Sequence, residues 1–137
     1  MEIQWVIIAR SYQMISGNLS IDNAINQFTI YGGINKASLF LITKVLFNPA
    51  ETLENRVLTI KISHDKMGEL YSFENTYQIP NLSTLVNMIT YLVYPLSLEF
   101  PDTGKYTFAI FIDGEYKNEE SIDVIHKELK DARIQSN

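Results

Sequence analysis

The stretch Asp102-Thr103-Gly104-Lys105-Tyr106-Thr107-Phe108 constrains this chain more than any other. Its Asp-x-Gly-x-Tyr spacing is that of a corner in two-sheet β proteins. A tyrosine at the start of a strand turns its hydroxyl back onto the backbone a few residues upstream and pins the crossing between sheets. Side chains alternate along a strand, so Tyr106, Phe108 and Ile110 then share one face. Asp102, Gly104 and Tyr106 are therefore structural candidates, and they point to an architecture rather than to an activity.

The remainder reads as strands of roughly 6 to 10 residues separated by turn chemistry. Ile3 to Ala9 is almost wholly apolar, as a strand covered on both faces would be. Gly17-Asn18 marks a turn, and Leu19 and Ile21 alternate after it. Asn23 interrupts the pattern at a position where a positive φ would seat a bulge or corner. Gly32-Gly33 closes that arm. Ala37 to Phe47 reads as a central strand ended by Asn48-Pro49, and Val57 to Ser63 as another strand that turns at Asp65 to Gly68.

Leu70 to Ile79 resumes the strand pattern up to Pro80. Leu82 to Tyr94 fits either a helical stripe or an alternating strand; a strand over Met88 to Tyr94 agrees better with its surroundings, and Pro95 is expected to end it. Asp113-Gly114 is a two-residue hairpin signal, because a type I′ turn needs positive φ at both central positions. Glu115 to Val124 returns as the last strand, with its carboxylates expected to protect a sheet edge. Ile125, Leu129 and Ala132 are spaced for a short helix. The expectation is an all-β, immunoglobulin-like antiparallel β-sandwich over residues 1–126, with a charged, helical or disordered C-terminal tail over 127–137.

Composition removes whole classes of function. Hydrophobic residues are 46% and charged residues 20%, enough apolar surface to form a core and too little charge for disorder. Lys and Arg number 11 against 16 Asp and Glu, a net charge of −5 with no basic run, so no nucleic-acid partner is expected. There is no cysteine, which excludes disulfides, thiolate metal sites and Cys nucleophiles. No apolar run is long enough to span a membrane as a helix. Glu2 and Arg10 argue against a signal peptide, so a cytoplasmic location is expected.

Candidate chemistry is sparse. His64-Asp65 has the composition of a base and its orienting carboxylate, yet it ends a strand, where Asp serves turn geometry and adjacent strand residues face apart. His126 lies among charges. Asp113, Glu115, Glu119, Glu120 and Asp123 lack the spacing of a calcium loop, and Gly32-Gly33 has no phosphate-loop context. No cofactor and no metal is expected. Tyr71, Tyr77, Tyr91, Tyr94 and Tyr116 form the candidate binding face, since tyrosine gives large contact area at low entropic cost.

Several of these motifs together resemble a family of small bacterial β-sandwich domains of unknown function. The likeness is carried by Trp5-Val6-Ile7-Ile8-Ala9, Gly17-Asn18-Leu19-Ser20-Ile21, the Asp65 to Gly68 turn, and Pro101, Gly104, Tyr106, Phe108 with Asp113-Gly114. Asn23 stands where the family pattern has a Gly closing the second strand. The resemblance implies the fold and no enzyme activity, cofactor or partner. The functional expectation is a non-catalytic interaction or assembly module, pairing with another protein or with itself through its first or last strand. The alternative is a module binding a small ligand or carbohydrate on the Tyr-bearing face.

Overall fold

A computed structural model describes residues 1–16, 18–32, 36–47, 55–78 and 88–128. Its strands are β1 (Glu2–Ile15), β2 (Asn18–Ala24), β3 (Gln27–Tyr31), β4 (Lys36–Phe47), β5 (Asn55–His64), β6 (Gly68–Gln78), β7 (Met88–Glu99), β8 (Gly104–Ile112) and β9 (Glu115–Lys127). They form two sheets, ordered β2-β1-β4-β7 and β3-β9-β8-β5-β6. Neighbours run antiparallel except β3 and β9, which are parallel. The arrangement is all-β and sandwich-like. No helix among the described residues is long and apolar enough to cross a membrane.

One core lies between the inward faces. Ile8, Leu39, Leu41 and Phe47 of the first sheet pack with Leu58, Ile60, Ile62, Tyr106 and Phe108 of the second, all of them buried. Each such side chain contributes roughly 1.5–3 kcal/mol on leaving water. A bulge between Ile3 and Trp5 re-phases β1. It lets both Ile3 and Val6 point inward although they are three positions apart, and it leaves Glu2 and Trp5 on the outside.

The turns follow their sequence chemistry. Asp113 and Gly114 have φ of 52° and 82°, the two positive values of a type I′ hairpin between β8 and β9. Asn23 has φ 55° at the end of β2, and the next turn of chain donates the Ile25 amide to the Ile8 carbonyl at 2.7 Å.

Two expectations are corrected. The last strand continues past Val124: Ile125, His126 and Lys127 pair in parallel with Thr29, Ile30 and Tyr31, so the helix expected to begin at Ile125 gives way to a ladder. Helical spacing there competed with an available strand partner and lost; residues 129–137 of the expected tail lie outside the described residues. Pro95 does not end its strand, for β7 runs on to Glu99 with Pro95 opposite Phe40. A missing N–H is tolerated because β7 is an edge with only one neighbour. β2 pairs with β1 only from Ala9 and β3 with β9 only from Asp123, so among the described residues Glu2–Ile8 and Glu115–Ile122 each have a strand on one side only. Glu115, Glu119 and Glu120 lie along that one-sided stretch of β9, while Asp123 pairs with Gln27 and Ile122 and Val124, each 1% exposed, serve the core. The Leu82 to Asn87 part of the ambiguous segment lies outside the described residues.

The β8–β9 turn is also tied to β5. Asp113 accepts the Val57 amide at 2.9 Å and the Arg56 guanidinium at 3.0 Å. The Val57 amide first, and Arg56 after it, hold the Asp113 carboxyl below its ordinary value of 3.8. A depressed carboxyl contributes stability above the unfolded-state value and loses it as pH falls through the folded-state value. Thermal melts from neutral pH down to about pH 3 are expected to show a smaller acid loss in Asp113→Asn, which keeps the left-handed turn. Parallel pH curves for the two proteins would show that the carboxylate does not supply this term.

Candidate interaction surface

The corner residues and the His64-Asp65 pair meet in one place, where the chain passes from β7 to β8. Tyr106, fully buried, donates its hydroxyl to the Asp102 carbonyl at 2.7 Å and accepts the Asp102 amide at 3.2 Å. Burial raises its phenol above the ordinary tyrosine value. The Phe100 ring stands edge-on to Tyr106 on one side and the His64 ring on another, both at 4.9 Å. His64 Nε2 donates to the Thr103 carbonyl at 2.9 Å, while Nδ1 accepts the Lys66 and Met67 amides at 3.0 and 3.2 Å.

Gly104 is required beside that ring. A Cβ there would come within 2.3 Å of His64 Nε2, and its φ of +154° also disfavours a side chain. Asp65 sits in the turn rather than on the strand, so its carboxylate does reach the imidazole, 3.3 Å from Nδ1, contrary to the expectation that the two face apart. A general base needs a nitrogen open to substrate. The His64 side chain is 0% exposed and both nitrogens hold backbone groups, so the pair acts as a clasp between the β5–β6 turn and the β7–β8 crossing.

The five candidate tyrosines occupy three separate places. Tyr71 and Tyr77 of β6 and Tyr94 of β7 gather where the edges of the two sheets approach each other. Tyr71 donates to the Glu99 carbonyl at 2.7 Å and stacks on Phe73 at 6.1 Å, and Tyr77 stacks on Phe47 at 6.0 Å. Burial, and then the nearby Tyr77, push the Tyr94 phenol up to about 12. Tyr94 also lines a groove of about 400 Å³ with Ile60, Phe73, Asn75 and Leu96. Tyr91 lies on the outside of the first sheet against Trp5, 5.9 Å between ring centres. Tyr116 stands at the far hairpin beside Phe111 and donates to Glu119 at 2.8 Å. Spacing along the chain carried no information on which strands would become neighbours.

The feature that sequence reasoning passed over is the contrast between the two outer faces. Residues paired across strands share a face, so register reads each surface row by row. Outside the β1-β4-β7 sheet the rows are Glu2, Leu46, Ile89; Trp5, Lys44, Tyr91; Ile7, Ile42, Val93; and Ala9, Phe40, Pro95, beyond which β4 and β7 end the face in the polar pairs Ser38, Ser97 and Lys36, Glu99. Ile42 is wholly buried among these neighbours yet belongs to the outer face, and Ile89 is 51% exposed. Outside the other sheet the rows are Ser72, Lys61, Ala109, Glu119 and Ser63, Thr107, Ser121. There the Phe111 ring lies under the Lys61 ammonium at 5.0 Å. One outer face suits water and the other does not.

The first sheet continues into an arm. β1 pairs with β4 up to Ala9 and with β2 from Ala9 onward, so Ser11 to Ile15 and β2 form a two-stranded ribbon. Its register sets Tyr12 beside Ile21 and Met14 beside Leu19 on one side, with Ser11, Asp22, Gln13 and Ser20 on the other. Met14 is 48% exposed. Tyr12 meets Phe40 edge-on at 5.1 Å, which joins the ribbon to the sheet. The sequence signal was present in the largely apolar runs of Ile3 to Ala9 and Ala37 to Phe47. Both match strands whose two faces need covering, and an antiparallel sandwich covers only one.

The sequence matches no family model and no curated protein. The resemblance to small β-sandwich domains therefore rests on the motifs quoted above.

Two outcomes test the geometry. Tyr106→Phe, which loses the corner hydroxyl, is expected to cost about 0.5–1.5 kcal/mol in denaturant melts, and Gly104→Ala more than about 2 kcal/mol through its clash with the imidazole. A Gly104→Ala protein as stable as wild type would refute the clasp. At alkaline pH the raised Tyr94 phenol keeps its full contribution below the unfolded-state value near 10, and loses it as pH rises towards the folded-state value of about 12. Tyr94→Phe is expected to flatten the decline in melting temperature across that range. An unchanged decline would show that the phenol is not the group responsible.

Proposed function

We propose that this chain is an immunoglobulin-like sandwich that works as a non-catalytic protein-interaction module, docking through the outer face of its β1-β4-β7 sheet. The strand arrangement supports the fold reading. β1, β4 and β7 occupy the places of strands A, B and E, and β6-β5-β8-β9 those of C′, C, F and G, with the Tyr106 corner at the start of F. On that scheme β2 and β3 are additions, and β2 builds the arm. The commitment of both His64 nitrogens to backbone groups supports the non-catalytic part.

The observation that carries the reading is the apolar outer face. Rows of Trp5, Tyr91, Ile7, Ile42, Val93 and Phe40 place aromatic and aliphatic side chains where a free sandwich would carry polar ones. Aromatic anchors surrounded by aliphatic neighbours are the usual centre of a protein interface. A second reading takes the groove at Tyr94 as a small-ligand site; its volume of about 400 Å³ falls at the lower end of ligand pockets.

The surface reading is tested with the double variant Ile89→Glu, Tyr91→Glu, whose side chains lie outside the core. Affinity capture from the source cell and sizing of the purified protein are compared with wild type. The variant is expected to keep its melting temperature and lose the associations of the wild type. Associations retained in full by the folded variant would end this reading, and saturable tyrosine fluorescence changes with a metabolite panel, absent in Tyr94→Ala, would favour the groove instead.

A further inference from the structure

We infer that His64 and Asp65 form a pH-sensitive latch on the β5–β6 turn. A second proton on the buried imidazole passes Nδ1 from the amides of the turn to the Asp65 carboxylate, and the turn is freed while the corner stays closed.

The hydrogen positions on the ring follow from its partners. Nε2 faces the Thr103 carbonyl at 2.9 Å, and a carbonyl only accepts, so Nε2 carries a hydrogen. Nδ1 faces the Lys66 amide at 3.0 Å and the Met67 amide at 3.2 Å, which only donate, so Nδ1 is bare. The imidazole is neutral in this arrangement. One contact does not belong to that state: Asp65 Oδ1 lies 3.3 Å from Nδ1 with no hydrogen between them. A carboxylate gains nothing from a lone pair, whereas from a protonated Nδ1 it accepts a charge-assisted hydrogen bond. The acceptor that the protonated ring needs is in place before the proton arrives. Since the His64 side chain is 0% exposed and that of Asp65 is 45% exposed, the carboxylate is also the route by which the proton enters.

A hydrogen on Nδ1 meets the two amide hydrogens already aimed at that atom, so the amides of residues 66 and 67 must leave. The two halves of the clasp lose different amounts. Residues Asp65 to Glu69 are exposed, so water takes up the released amides, and the space beside Gly68 is open. The corner loses nothing, because Nε2 still donates to Thr103 and Tyr106 is still bonded to Asp102. Asp65 is anchored to β8, its amide donating to the Lys105 carbonyl at 3.0 Å and its Oδ1 accepting the Lys105 amide at 3.3 Å, so the movement begins at Lys66. The freed state holds one more proton, and acid therefore favours it by mass action.

The titratable and charged groups on the elements around the ring are Asp65 and Lys66 of the turn, Asp102 of the crossing, Lys105 and Tyr106 of β8, Tyr71 of β6 and His126 of β9, whose amide donates to Thr103 Oγ1. Among the described residues only Asp65 brings a charged atom within ion-pair distance of the imidazole.

Nuclear magnetic resonance of the isotope-labelled full chain from about pH 8 to about pH 5 tests the latch. The His64 ring-nitrogen signals report which nitrogen carries hydrogen. At the upper end Nε2 alone is expected to be protonated, with the Lys66 and Met67 amides protected from hydrogen exchange. Once Nδ1 gains its proton, the protection factors of both amides are expected to fall about tenfold or more while those of β8 hold. Asp65→Asn removes the waiting acceptor and is expected to move the transition to lower pH by about one unit. His64→Asn keeps an acceptor near Nδ1 that gains no charge, and is expected to abolish the transition; if it does not fold, the Asp65→Asn comparison carries the test. Unchanged protection of Lys66 and Met67 across the protonation of His64 overturns the latch, and so does a ring that stays neutral to the lower end. Loss of protection that spreads to β8 at the same pH is unfolding and overturns it too. A wild-type transition in Asp65→Asn overturns the role of the carboxylate.

Discussion

The His64 imidazole lies where a side chain on residue 104 would be, and the architecture depends on that contact. It fills the space beside Gly104, takes the backbone of the Lys66–Met67 turn on one nitrogen and that of Thr103 on the other, and supports the Tyr106 ring. Tyr106 in turn holds Asp102, and Phe100 closes the group. The chain leaves one sheet at Glu99 and enters the other at Gly104, so this cluster fixes how the sheets sit over one another. Buried polar groups persist only when satisfied, and here their satisfaction is itself the link between three segments distant in sequence.

Once the sheets are held, each has one face committed to the core and one face left over. The second sheet finishes its outer face with Lys61, Ser63, Thr107 and Ser121, which water solvates without penalty. The first finishes its outer face with Trp5, Ile7, Ile42 and Tyr91, which water does not. Surface composition is a choice that folding leaves free, so an apolar outer face requires a different explanation from the core. Association with a protein partner is the explanation we propose for it.

Much of the fold was legible in the chain because its signals are local. The Asp113-Gly114 turn, the Tyr106, Phe108, Ile110 alternation and the left-handed Asn23 depend on the conformational preferences of a few adjacent residues, and each stands in the structure where those preferences place it. The misses share a different cause. Local pattern makes Pro95 a terminator because it does not reveal that β7 is an edge, and makes Ile125 helical because it does not reveal that β3 lies alongside. The five tyrosines share no single face, because Tyr91 and Tyr94, three apart on one strand, point to opposite sides of it.

What the sequence by itself determined is therefore most of the strands, the chemistry of their turns, the corner at Asp102 to Tyr106 and a composition without cysteine or a basic run. Those properties follow from backbone sterics, side-chain periodicity and composition, which act over a few residues or over none. Only the tertiary structure decided that β1, β4 and β7 lie side by side, that their leftover faces add into one apolar surface, and that His64 is enclosed rather than available. Register between strands distant in the chain sets these outcomes, because a side chain's neighbours across a sheet are chosen by long-range packing and are written in no local pattern.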